Sequence, residues 1–165
     1  MIDPSECFAA PISDAVKGTM TFVLPRTDDE YRCLVIMQED KPYAICLDVL
    51  HQLGRFFSIL CDEDDNWHGL HIPNVRIELD ETSLHDAQGY AIPIGAVVRT
   101  EDKLTLRVKK EGDYQSAVGS ITLLEGLPRC PPQQTACFVN WQIVLGEGEE
   151  KRVLATVDVT PKVSG

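Results

Sequence analysis

The sequence predicts an α+β protein that is mainly β: an antiparallel sandwich or barrel-like sheet of about eight or nine strands, with one helix packed on it. Three observations predict it. Apolar and polar residues alternate with a period of two over most of the chain, the signature of half-buried strands. Turn residues interrupt the alternation at short intervals, so neighbouring strands should pair antiparallel. The period changes once, near residues 48–60, to helical spacing. A chain of 165 residues is long enough for one core without disulfide or metal staples.

Residues 1–18 are poorly periodic and read as a poorly structured N-terminal arm, leaving residues 19–165 as a single β-rich globular domain. Residues 19–24 form the first strand, closed by Pro25. Residues 31–38 and 42–47 are the next two, joined by a turn at Glu39-Asp40-Lys41, and this hairpin sets Cys33 opposite Cys46. Val49, Leu53, Phe56 and Leu60 then recur at helical spacing, with Leu50 and Phe57 beside them. Asp48 is the expected N-cap, its carboxylate accepting a first-turn N–H. Gly54 within the helix costs about 1 kcal/mol relative to alanine and points to close packing on a sheet.

The second half is more regular. Residues 75–79 are a short strand, and 90–99 with 103–110 a hairpin across Thr100-Glu101-Asp102. Leu104, Leu106 and Val108 should face inward. Residues 117–124 continue the pattern, and a proline-rich loop follows at 126–134. Residues 136–145 and 152–160 make the clearest hairpin. Its apolar faces are Cys137, Val139, Trp141, Ile143 and Leu145 on one strand and Val153, Ala155, Val157 and Val159 on the other. Gly146-Glu-Gly-Glu-Glu is the loop between them.

Charge is the most specific feature. The net formal charge is −11, and residues 61–86 hold eight acids against one base, Arg76, whereas 87–165 hold nine of each. Direct nucleic-acid binding is disfavoured, because phosphate recognition needs a basic stripe. The short basic row Lys103, Arg107, Lys109 and Lys110 reads as a solvated strand face that protects a sheet edge. The acidic run Asp62, Glu63, Asp64 and Asp65, with Trp67 beside it, is the expected partner-binding surface. Clustered negative charge steers a basic protein, and tryptophan is a frequent anchor at interfaces. Glu78, Asp80 and Glu81 could extend it.

Motifs for chemistry are sparse. His68 and His71 are the candidate metal ligands, for zinc or another divalent ion. Three-apart histidines converge on a helix, however, and Gly69 with Pro73 argues against one there. Asp62, Asp64 and Asn66 alternate as in a calcium loop, but Trp67 stands where that loop needs glycine. No G-x-S-x-G, phosphate-binding glycine loop or C-x-x-C pair occurs. The six cysteines therefore read as mostly buried thiols in a reducing compartment. With no leader-like start and no apolar run of about 20 residues, a cytoplasmic protein without membrane contact is expected.

The sequence points first to a non-enzymatic interaction module, inhibitor-, immunity- or adaptor-like, that needs no cofactor and meets a basic protein. A metal-binding enzyme or metal-stabilised domain at His68 and His71 is the second reading. A structural subunit that self-associates is the third.

Overall fold

β3 shows why this chain folds as it does. Cys33-Leu-Val-Ile is buried at every position, not at alternate ones, so the strand needs cover on both faces. The computed structural model, which describes residues 3–16, 19–25, 31–49, 54–62, 67–86, 92–110, 118–127 and 136–162, supplies both covers. Leu34 and Ile36 point into one apolar cluster, while Cys33 and Val35 point into another.

The described residues form thirteen strands: β1 (Phe8–Pro11), β2 (Met20–Pro25), β3 (Cys33–Gln38), β4 (Lys41–Cys46), β5 (Phe57–Leu60), β6 (His68–Leu79), β7 (Leu84–Asp86), β8 (Val97–Arg99), β9 (Lys103–Lys110), β10 (Val118–Glu125), β11 (Ala136–Phe138), β12 (Asn140–Leu145) and β13 (Arg152–Asp158). Eleven lie on one curled, open path, in the order β13-β12-β6-β2-β3-β4-β5-β9-β8-β11-β7. β1 adds to β6, and β10 adds to β9. All pairings are antiparallel except the short one between β5 and β9. The long β6 organises the rest. One edge carries β2, and the other carries β1 and β12 end to end.

The expected hairpins are present. β3 and β4 meet through a two-residue turn in which Glu39 and Asp40 both have positive φ, 49° and 62°. That is the mirror-image turn that matches strand twist. β8 and β9 pair across residues 100–102, with Leu104, Leu106 and Val108 buried as expected. β12 and β13 pair as expected over Trp141, Ile143, Ala155 and Val157. A bulge between Ile143 and Val144 shifts the register, and it leaves Val153 50% exposed where the alternation had placed it inward.

Four expectations are corrected. The helix over 48–60 is not formed: residues 57–60 are β5, and among the described residues no helix reaches seven residues. Gly54 and Phe56 sit at φ 78° and 58°, outside the right-handed helical region. The Phe56 N–H donates to the Cys46 carbonyl, and its own carbonyl accepts from Lys109. Sheet bonds thus replace helical ones, and Phe56 is buried from an irregular backbone stretch that leads into β5. Asp48 caps no helix but binds Arg32. Strands are more numerous than eight or nine because β1, β5 and β7 carry weak patterns, and because residues 136–145 divide after Phe138. β11 there pairs with β7 and β8, and β12 with β6 and β13. Finally, the described part of the expected arm is ordered. Residues 4–6 form a turn capped by Asp3, β1 pairs with β6, and Ile12 is buried.

The larger core fills the inside of the curl, around Phe22, Leu34, Ile45, Ile72, Leu106 and Trp141. The smaller one lies on the outer face of β2, β3 and β4. There Ile12 and Ala15 close over Val23, Cys33, Val35, Ala44, Cys46 and Cys61.

Candidate functional site

The acidic run lies where the chain passes from β5 to β6. Its first carboxylate, Asp62, is exposed; Glu63, Asp64 and Asp65 lie outside the described residues, as do two of the three candidate calcium positions. Both flanks are tied to the fold. The Cys61 N–H donates to the Pro42 carbonyl at 2.9 Å, and the Trp67 carbonyl accepts from Ile12 N–H at 2.8 Å. Trp67 itself is half-buried. Its indole meets Tyr31 edge to face at 5.6 Å between ring centres and packs on the smaller core. Most of this side chain serves packing, and only its remaining exposed part faces solvent.

The strand conformation separates His68 from His71. Residues three apart on a strand point to opposite faces, and here His68 is exposed while His71 is fully buried. His71 Nε2 lies 3.1 Å from the Ala10 carbonyl, and the ring stacks on Phe8 at 4.9 Å. Burial lowers its pKa, although the Ala10 carbonyl and Asp14 act in the opposite direction. With Nε2 bound to a carbonyl oxygen, the neutral ring carries its proton there, and the buried Nδ1 has no partner among the described residues. Among those residues no group of three or more histidine, cysteine or acidic side chains is arranged to hold a metal ion.

Three further acids of the 61–86 segment have internal work. Glu78 pairs with Lys151 at 2.9 Å, and Glu81 with Arg99 at 2.9 Å. Asp80 Oδ1 accepts from both the Thr82 hydroxyl and the Thr82 N–H, and these bonds lower its pKa. Arg76, the lone base of the segment, donates to Glu147 and to the Gly146 carbonyl. The acidic surface legible in the sequence is therefore partly neutralised at Glu78 and Glu81.

Sequence reasoning missed two features. One is a groove of about 1010 Å³ between β2, β3, β6 and β10. Met20, Ile36, Val75 and Leu123 give it apolar walls, and Gln38, Asn74, Lys103 and Glu125 line it with polar groups. Its lining draws on five separate strands, Lys103 coming from β9, so no local pattern announces it. The other is a pair of long-range anchors. Arg152 binds both oxygens of Glu6 at 2.6 Å, and Arg32 binds both oxygens of Asp48 at 2.7 and 2.8 Å. Each lowers the pKa of its carboxylate.

A family model described as "Uncharacterised protein y4lG" matches residues 12–164. A protein of Sinorhizobium fredii (strain NBRC 101917 / NGR234), described as "Uncharacterized protein y4lG", is 35% identical over 154 residues, covering 93% of this chain and 91% of that protein. No solved structure matches.

Proposed function

This chain belongs to the y4lG family, and on that premise we propose that it is a non-enzymatic interaction protein that presents Asp62, Glu63, Asp64 and Asp65 to a basic protein partner. One observation carries the reading: the run starts at an exposed carboxylate and is flanked at both ends by residues bonded into the fold. Anchored flanks limit the entropy lost when such a surface docks, and concentrated charge speeds encounter with a positive partner. Trp67, held against Tyr31 at the edge of the run, supplies apolar contact area without having to be ordered on binding. The metal-centred reading draws less support, because His68 and His71 sit on opposite faces of one strand.

The test is affinity capture from native lysate, with the bound proteins identified and the wash run at low salt and at about 0.15 M salt. A basic protein should be retained at low salt and weakened at the higher one. Joint replacement Asp62→Lys, Asp64→Lys and Asp65→Lys should abolish its retention while the far-ultraviolet circular dichroism stays unchanged. Equal retention by the variant would overturn the reading.

Self-association has one observation in its favour. Among the described residues β10 pairs on one edge only, with β9, and its Val118 and Leu124 are 40% and 41% exposed. An apolar edge of this kind is a template for a second strand. Sedimentation showing a monomer at all concentrations would remove this reading.

A further inference from the structure

Three thiols share the smaller core: Cys33, Cys46 and Cys61. Two of them are set for chemistry. Cys33 on β3 lies directly opposite Cys46 on β4, with the sulfurs 3.9 Å apart and both thiols free. The neighbouring pair is joined by a bond from Leu47 N–H to the Arg32 carbonyl. Hydrogen-bonded and non-bonded pairs alternate along an antiparallel ladder, so Cys33 and Cys46 occupy a non-bonded pair, where facing Cα atoms come to about 4.5 Å. That spacing falls inside the range spanned by disulfides, about 4.4–6.8 Å. Side-chain rotation brings the sulfurs together without displacing either strand. Cys33 and Cys61 each direct the thiol at the carbonyl two residues back, at 4.0 and 3.8 Å, and Cys33 with Cys46 is the pair set face to face by strand register.

The pair is covered rather than deeply enclosed. Ile12 and Ala15 of the N-terminal segment close this face together with Trp67. The segment is a short addition at the edge of β6, held by four residue pairs of β1. The Ile12 to Trp67 bond, the Glu6–Arg152 ion pair, the Ala10 carbonyl's contact with His71 Nε2 and the Phe8–His71 stack add to its attachment. A peripheral, terminal element of this kind opens at a lower free energy than the sheet beneath it.

We propose that Cys33 and Cys46 are a dithiol oxidised by hydrogen peroxide to a cross-strand disulfide, with residues 3–16 acting as the cover that sets the rate. One thiol loses its proton to solvent and attacks the peroxide. An S–O bond forms, the O–O bond breaks, and hydroxide leaves, giving a sulfenic acid. The second thiol then displaces that oxygen: the S–S bond forms, the S–O bond breaks, and water leaves. The two sulfurs together give up two electrons, and the peroxide is reduced to water. While the cover is closed, the hydrogen bond to Cys46 and burial hold the Cys33 thiol well above its ordinary pKa, so the reactive thiolate is scarce. Opening the cover admits water and oxidant together. The proposal is independent of the acidic partner surface.

The reduced full-length chain is treated with hydrogen peroxide, remaining thiols are alkylated, and peptides are mapped without reduction. A Cys33–Cys46 link should form with the loss of two hydrogens, while Cys61 is recovered alkylated. Failure of both thiols to react at a dose that oxidises free glutathione would overturn the proposal, as would a mixture of pairings including Cys61. Glu6→Ala, which releases the cover from Arg152, should speed formation of the link several-fold. An unchanged rate would overturn the role of the cover.

Discussion

His71 and Arg32 illustrate how single side chains hold this structure at its seams. His71 is buried against Phe8 and the Ala10 carbonyl, with its pKa lowered by desolvation. A base whose folded pKa lies below its unfolded value takes up its proton more readily when unfolded. Its contribution to stability is intact above about pH 6.5 and is lost as pH falls toward the folded value. Denaturant titrations should show a midpoint that drops on acidification through that window, and His71→Phe should flatten the drop. Asp48 has the opposite chemistry. Its carboxylate accepts from the Arg32 guanidinium and backbone N–H, which lower its pKa. The stability it adds is present above the ordinary aspartate value and disappears as pH falls through the lowered one. Asp48→Ala removes the acceptor for the Arg32 N–H and should cost about 1–3 kcal/mol in urea unfolding.

Among elements, the β3–β4 hairpin and the stretch that leads into β5 depend on unusual backbone. Glu39 and Asp40 both hold positive φ, which costs an ordinary L-residue about 1–2 kcal/mol. Joint replacement Glu39→Asn and Asp40→Gly, the favoured pair for this turn, should stabilise the protein by about 1 kcal/mol. A thermal melt that does not move upward would show the turn to be held by other contacts. Just before β5, Phe56 is buried at φ 58° with its ring against Gly95. A Cβ at Gly95 would come within 2.2 Å of that ring, and the glycine's own φ is 88°. Gly95→Ala should therefore destabilise by about 2–4 kcal/mol, read as a lower denaturant midpoint.

On the scale of the whole molecule, one sheet curls so that its inner face makes the main core, while the N-terminal segment makes a second core outside. This arrangement explains a pattern the sequence shows but does not explain. Residues 33–36 are apolar throughout because both faces of β3 are covered. It also explains the charge: β6 brings Glu78 to Lys151, and Glu81 reaches Arg99, residues 73 and 18 apart. Charge reversal at Asp62, Asp64 and Asp65 is expected to change partner binding more than stability. Reversal of Glu78 would instead repel Lys151 and should lower the melting temperature modestly.

The sequence by itself determined what depends on local period and turn chemistry. The β class, the turn at Glu39–Asp40, the inward Leu104, Leu106 and Val108, the Trp141 face and the register of Cys33 opposite Cys46 were all legible, because a strand's two-residue alternation is written in consecutive residues. Only the tertiary structure decided what depends on partners far along the chain. It turned residues 54–60 from part of an expected helix into an irregular stretch and a strand, because the Cys46 carbonyl and the Lys109 N–H bond Phe56 from either side. It ordered the N-terminal segment, because the outer face of β2–β4 is apolar and must be covered. It parted His68 from His71, because three residues span opposite faces of a strand but one face of a helix. It also built the groove under β10, whose walls come from residues up to about a hundred positions apart, a distance over which hydrophobic periodicity carries no information.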